Sequence, residues 1–315
     1  MLLEIKGLDF SYPSQPLIFQ NFHLDLKQGK IMALIGESGC GKSTLLNIIY
    51  GRKNWQQGRI FFDNKEIYGP KANIVPGEAD MKLVSQDYDL MPYSKVYDNV
   101  GKFISNINLE NKKNKILELL DIVGLTDYLY EYPKNLSGGQ QQRVAIAQAL
   151  SQLPKLLLLD EPFSHLDLLR KQQIRDKLFN YVRTQNISLI ISTHDVNEVL
   201  AWSDEVVVLK KGQVIQRDAP KVLFQSPKTP YVAQLLGEVN ILTPAQQREL
   251  NLSKWFYFPH QLLLTDHETH NPIQGEVISS SFSGSFYRNI VKVKNHHLIV
   301  YTSKEKKGKL NVKFN

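Results

Sequence analysis

One cysteine, Cys40, stands in 315 residues. A lone thiol excludes an internal disulfide, and its scarcity agrees with a reducing compartment. Long apolar runs are missing as well. Runs such as LLLL at Leu156 to Leu159 fall far short of the roughly 20 residues that cross a bilayer, so any membrane role must come through a partner. The first ten residues, MLLEIKGLDF, carry Glu4, Lys6 and Asp9 where a secretory leader needs an unbroken apolar stretch, and no secretion is expected. No repeat of fixed period and no low-complexity tract occurs. Neither sign of charge dominates: 38 Lys and Arg against 31 Asp and Glu leave +7, an excess that suits nucleic acid, anionic lipid or phosphorylated ligands and does not choose among them. With 42% hydrophobic and 22% charged residues, the composition is that of a folded chain of one large domain and a smaller one.

What the sequence does have is alternation. KIMALIG (Lys30 to Gly36), KLLLLD (Lys155 to Asp160), ISLIIST (Ile187 to Thr193) and EVVVLK (Glu205 to Lys210) read as strands buried on both faces. Helical patterns lie between them, as with Ile174, Leu178 and Val182 within Leu168 to Arg183. Buried strands alternating with helices predict an α/β core with a largely parallel sheet. From about Pro259 the texture changes to short alternating runs broken by Gly, Ser and Lys, a small antiparallel β pattern. The boundary is expected near Gly237 to Gln247, where GEVNILTPAQQ interrupts the helical pattern. This gives domains 1–236 and 237–315.

GESGCGKST, Gly36 to Thr44, fits G-x-x-x-x-G-K-[ST] between a buried strand and an apolar helix, the context a P-loop needs. Its glycines, Gly36, Gly39 and Gly41, let backbone N–H groups curl around phosphate oxygens together with Ser38, Cys40 and Thr44. The helix start adds its positive end, Lys42 a point charge, and Ser43 a ligand for Mg²⁺. A complementary acid pair, Asp160 and Glu161, follows the four leucines at the edge where open α/β sheets bind ligands. Asp160 suits a metal-binding aspartate, and Glu161 a base that orients and deprotonates water. Taken alone, such a pair is more often a strand cap. Cys40 reads as a small tolerated side chain whose alkylation obstructs nucleotide.

A third segment, NLSGGQQQRVAIAQAL from Asn135 to Leu150, opens a helix with two glycines and three glutamines, a start that reads as flexible, bare and polar. These segments together resemble ABC ATPases: GESGCGKST, LSGGQ at Leu136 to Gln140, LLLLDEP at Leu156 to Pro162, and STHD at Ser192 to Asp195 stand in that order and spacing. The resemblance covers about the first 235 residues and implies a P-loop NTPase core with a helical subdomain. It implies ATP and Mg²⁺ as ligands and a head-to-tail homodimer in which Leu136, Ser137, Gly138, Gly139 and Gln140 of one copy close over ATP held by the other. In physical terms Ser137 and the N–H groups of Gly138 and Gly139 form an anion site at a helix start. An N-cap Ser137 beside glycines that relieve crowding is compatible with it. The resemblance further implies adenine stacking on Tyr12, a Q-loop Gln86 that reaches metal and water, a switch His194 that contacts the γ-phosphate and Glu161, and a D-loop Asp167. His165 departs from the small residue common there.

Three classes remain open at this point. One is an import ATPase on the cytoplasmic face of the membrane, bound to integral-membrane permease subunits and served by an extracytoplasmic binding protein. The second is a soluble ABC ATPase acting on the ribosome or nucleic acid, and the third an exporter ATPase. Soluble relatives usually carry a second nucleotide domain or a long coiled-coil insertion, and neither is present. No nucleic-acid partner is expected. The β-rich tail, with YFPHQLLLTDHE and GEVISSSFSGSFYRNIVKV, resembles the OB-like (TOBE-like) regulatory domain of importers for iron(III), polyamines, sulfate, molybdate or sugars. Iron(III) or polyamine import is the preferred reading.

Overall fold

The computed structural model describes residues 1–85, 88–164, 168–265 and 273–314. Its chain forms two compact units, Met1–Gln225 and Ser226–Asn315. The helix Pro230–Leu236 lies in the second of these units.

The first unit is built on two sheets. A six-stranded sheet runs in the order Gln213–Asp218, Glu205–Lys210, Ile31–Ile35, Ser188–Thr193, Leu156–Asp160 and Met81–Val84. All its pairings are parallel except that of the outermost hairpin, Glu205–Lys210 with Gln213–Asp218. The strands Ile31–Ile35, Leu156–Asp160 and Ser188–Thr193 are buried at every residue, which is why each reads as a solid apolar run. A four-stranded antiparallel sheet, ordered Phe19–Leu26, Leu3–Phe10, Gln57–Phe62 and Lys65–Ile67, shares one core with it. Phe19, Phe22 and Ile60 from this sheet meet Met32, Leu34 and Leu158 from the other, with Leu45 and Ile49 of the helix Lys42–Ile49 in the same cluster.

Three helices, Val96–Gly101, Leu109–Ile122 and Gly138–Leu150, pack against one another as the expected helical subdomain. Asn99, fully buried, holds the chain leading into the first of them, accepting from the Met91 N–H at 2.8 Å and donating to three carbonyls at 3.0–3.1 Å. The helix Leu168–Thr184 buries Leu178 and Val182 completely and stacks Phe179 on Trp202 at 5.6 Å.

The second unit contains a five-stranded antiparallel sheet ordered Leu262–Thr265, Gly308–Phe314, Ile273–Phe282, Tyr287–Val293 and His296–Thr302. Its two edge strands approach each other, so the sheet is rolled in the OB-like manner, around Leu262, Val291, Leu298 and Val300. The segment read as an interruption holds a short helix, Pro244–Leu250, started by a reciprocal cap between Thr243 and Gln246. Buried Asn240 stitches the unit together, donating to the Ile299 carbonyl at 2.8 Å and accepting from the Ile299 N–H at 2.7 Å. Nearby, Glu238 takes the Arg288 guanidinium at 2.6–3.1 Å and the Tyr301 hydroxyl at 2.7 Å.

Candidate active site

Parallel pairing aligns the strand ends that matter. Ile35 lies beside Thr193, and Asp160 beside Ser192, so the loop after Ile35, the acids after Leu159 and the histidine after Thr193 all emerge at one edge of the sheet. This is the edge at which open α/β sheets bind ligands.

The loop from Gly36 to Gly41 is tightly held. A Cβ on Gly36, at φ +155°, would fall 2.3 Å from the Leu209 carbonyl oxygen, so only glycine lets the loop turn there. Lys42, 5% exposed, curls back to donate to the carbonyls of Gly36 at 2.7 Å and Glu37 at 3.1 Å. An ammonium so placed is fixed at the mouth of a helix start, the arrangement that binds phosphate. Burial pushes the Cys40 thiol above its ordinary range despite the Lys42 charge.

Residues 117 apart then meet: Ser43 donates to the Asp160 carboxylate at 3.0 Å. Ser192, fully buried, donates to the same oxygen at 2.5 Å. Its hydroxyl and carbonyl oxygens also accept the Glu161 N–H at 3.2 and 3.1 Å. Glu161 has φ +46°, and its carboxylate lies 3.2 Å from Nδ1 of an exposed His194. Among the described residues no three His, Cys, Asp or Glu side chains converge as a metal cage. One carboxylate and one hydroxyl suit Mg²⁺, which takes its other ligands from phosphate and water.

Tyr12 donates to, or accepts from, the Thr44 hydroxyl at 3.0 Å and sets its ring edge-on to Phe10 at 5.1 Å. Tyr12, Ser38, Gly39, Gly41, Lys42, Ser43, Thr44 and Glu161 line one open cleft of about 300 Å³. None of Leu136 to Gln140 lines it. Ser137 instead caps the helix Gly138–Leu150: its hydroxyl accepts the Gln140 N–H at 3.3 Å, and the Gln140 side chain accepts the Ser137 N–H at 2.9 Å. The N-cap reading of Ser137 holds, and the capping box satisfies two of the donors that a helix end leaves open. Gln86 and Asp167 lie outside the described residues.

Sequence reading missed Ser192, Gln142 and Lys171. Lys171 ion-pairs with buried Glu198, which in turn accepts the Thr193 hydroxyl at 2.5 Å. Lys171 is held above its usual pKa range: burial opposes the charge, but hydrogen bonds and ion pairs to Glu198 and Asp195 together outweigh it. Ser192 opens the segment STHD, and only the strand pairing that sets it beside Asp160 reveals its role.

The profile of the ABC transporter family matches residues 19–164, a span that holds the phosphate loop and both acids. The spermidine/putrescine import ATP-binding protein PotA of Borreliella afzelii is 38% identical over 255 residues, covering 80% of this chain and 72% of that protein. This chain belongs to the ABC transporter ATPase family. As an ABC ATPase it binds and hydrolyses ATP. It is also 35% identical to the Fe(3+) ions import ATP-binding protein FbpC 2 of Haemophilus influenzae, over 80% of this chain and 71% of that one. Among solved structures, the dimeric post-hydrolysis ATP-binding cassette MJ0796 bound to ADP and Pi superposes with a TM-score of 0.60 at 28% identity, covering 69% of this chain and 98% of the cassette. The expected P-loop NTPase core and β-rich appendage are the fold observed.

Proposed function

We propose that this ABC ATPase powers import of a cationic solute, a polyamine or iron(III), through an integral-membrane permease. The observation that carries the chemistry is the pair of contacts at one sheet edge, Ser43 with Asp160 and Glu161 with His194. The importer reading is supported by relatives named for polyamine and Fe(3+) import. No helix among the described residues is long and apolar enough to cross a membrane, which suits a subunit held at the cytoplasmic face by its permease. An extracytoplasmic binding protein completes the proposed assembly.

In this mechanism the adenine rests against Tyr12 and the phosphates lie along Gly36 to Thr44, with Lys42 on the β- and γ-phosphates. Mg²⁺ would be held by Ser43, Asp160 and Gln86, and would neutralise charge on the transferring phosphoryl group. Two copies close head to tail, so that Ser137 and the N–H groups of Gly138 and Gly139 in one copy donate to the γ-phosphate held by the other. Asp167 would serve as the D-loop aspartate of that dimer. Glu161 takes the proton of the attacking water, and His194, hydrogen-bonded to Glu161, steadies that carboxylate and the γ-phosphate. Hydrolysis removes the contacts that favour closure, and the dimer reopens. Residues 1–236 would form the ATPase domain and 237–315 a regulatory one.

The test is Glu161→Gln with MgATP. A stable dimer by size exclusion, with turnover reduced at least ~100-fold as expected for loss of a general base, is the expected result. A variant that stays monomeric at saturating MgATP refutes the dimer model or the base assignment. Gentle membrane solubilisation and mass spectrometry of co-purifying proteins then tests for the permease; ribosomal proteins in its place would overturn transport.

A further inference from the structure

The helix that starts at Ser137 also reaches the catalytic acids of its own subunit. Gln142 is 2% exposed, and its side-chain Nε2 donates to the Asp160 carbonyl at 3.2 Å and, more weakly, to the Glu161 carbonyl at 3.4 Å. A buried amide is ordinarily paired, and here its partners are the main chain of the two residues on which hydrolysis depends. Glu161 needs such support. Its left-handed backbone, at φ +46°, is disfavoured for a residue with a Cβ and persists only where its surroundings over-determine it. On its amide side the support is Ser192. On its carbonyl side Gln142 shares it with Ser164, whose hydroxyl donates at 3.1 Å and whose N–H donates at 3.4 Å.

The Gln142 part of that support comes from an element with a second role. Ser137 and Gln142 lie at the start of one helix, Ser137 as its cap and Gln142 in its second turn. Helices move as units, so a shift of the capped end displaces the Gln142 amide with it. We propose that Gln142 is a positioning residue that fixes the backbone of Glu161 and ties it to its own subunit's signature helix. The inference rests on the dimer reading above. In that dimer the signature helix touches the partner's ATP, so occupancy of one site is felt at the glutamate of the other. The link is a single side chain, and no residue between the sites need move independently.

The experiment compares the full-length protein with Gln142→Met, which keeps length and flexibility but removes the donor, and with Gln142→Glu, whose carboxylate is an acceptor until protonated. ATP affinity is measured by calorimetry with MgATP, and turnover as a function of ATP concentration. The wild type is expected to respond sigmoidally. For Gln142→Met we expect kcat to fall at least tenfold, ATP affinity to stay within twofold, and the response to become hyperbolic. For Gln142→Glu, lowering the pH from 8 to 6 should recover part of the rate relative to the wild type, a readout that simple loss of packing does not give. Unchanged kcat and sigmoidicity in Gln142→Met would overturn the proposal, as would a parallel loss of ATP affinity and melting temperature, which marks a purely structural residue. A wild type that neither hydrolyses ATP nor dimerises would overturn the functional reading, and this inference with it.

Discussion

Gly212 lies 172 residues after Cys40 in the sequence, yet the structure makes the phosphate loop depend on it. It closes the tight turn between the strands Glu205–Lys210 and Gln213–Asp218, with Lys211 at φ +48° and Gly212 at φ +74°. Two successive left-handed residues are the signature of a type I′ hairpin. The Gly212 N–H donates to the Cys40 carbonyl at 2.9 Å, bracing the phosphate loop from outside. In Gly212→Ala the new Cβ would stand 1.6 Å from the Ile18 carbonyl oxygen. Both groups are backbone, so the turn must move by more than an ångström and the bond to Cys40 is lost. The left-handed backbone costs about 1 kcal/mol with a Cβ, and the hydrogen bond about another. Relief of the clash adds on the order of 1–2 kcal/mol. If half of that sum loosens the loop, ATP affinity falls roughly ten- to thirtyfold, since about 1.4 kcal/mol is a factor of ten. The assay is calorimetric titration with MgATP beside urea unfolding. Gly284→Ala is the control: it shares a positive φ, at +81°, but its Cβ would meet nothing within 4 Å. A Gly212→Ala protein that binds ATP as tightly as Gly284→Ala would refute the bracing argument.

Lys42→Ala should lower MgATP affinity by at least roughly tenfold, through loss of charge-assisted bonds to phosphate; calorimetry checks it, and unchanged affinity would count against the phosphate site. Because burial raises the Cys40 pKa, iodoacetamide should modify Cys40 slowly at neutral pH, with MgATP slowing it further; mass spectrometry follows both rates. Hydrogen bonding to Arg288 is the leading cause that depresses the Glu238 pKa, outweighing burial. Glu238 therefore stabilises the native state fully above its unfolded value near 4.5, and the contribution fades as pH falls through the lower folded value. Glu238→Gln should accordingly lower the melting temperature near neutrality and flatten its dependence on pH below that value, as thermal scans at successive pH values would show. Ser137→Thr should keep both helix cap and turnover, whereas Ser137→Ala should lose about 1 kcal/mol of stability together with most ATPase activity.

How much could be read in advance follows from the range over which each signal acts. Strands buried on both faces announce themselves locally, and KIMALIG, KLLLLD, ISLIIST and EVVVLK became Ile31–Ile35, Leu156–Asp160, Ser188–Thr193 and Glu205–Lys210. The helix written from Ile174, Leu178 and Val182 is the helix Leu168–Thr184. The four-stranded sheet was not foreseen, because Leu3–Phe10 and Phe19–Leu26 mix buried and exposed residues around register shifts and carry no clean period. At the site, the phosphate loop and acids were legible because their chemistry is carried by contiguous residues. Ser192, Gln142 and Gly212 were not, because each acts on a main-chain or carboxylate group that becomes its neighbour only through tertiary packing: strand pairing for Ser192 and Gly212, and the seating of a helix for Gln142. Pro244–Leu250 was read as a break because Pro and Thr look like punctuation; they are the first turn and cap of a helix.

The capping box at Ser137 bears on how often the proposed cycle can turn. A surface that is covered and uncovered at every round must keep its helix start formed while its partner is away. Here the Ser137 oxygen already receives the Gln140 N–H, and a hydroxyl that accepts in this way keeps its own proton to give. The cap thus holds without a partner, and what closure adds is the third phosphate on the N–H groups of Gly138 and Gly139. When that phosphate leaves, nothing on the helix resists parting, so the joint between copies is built to be made and broken without wear.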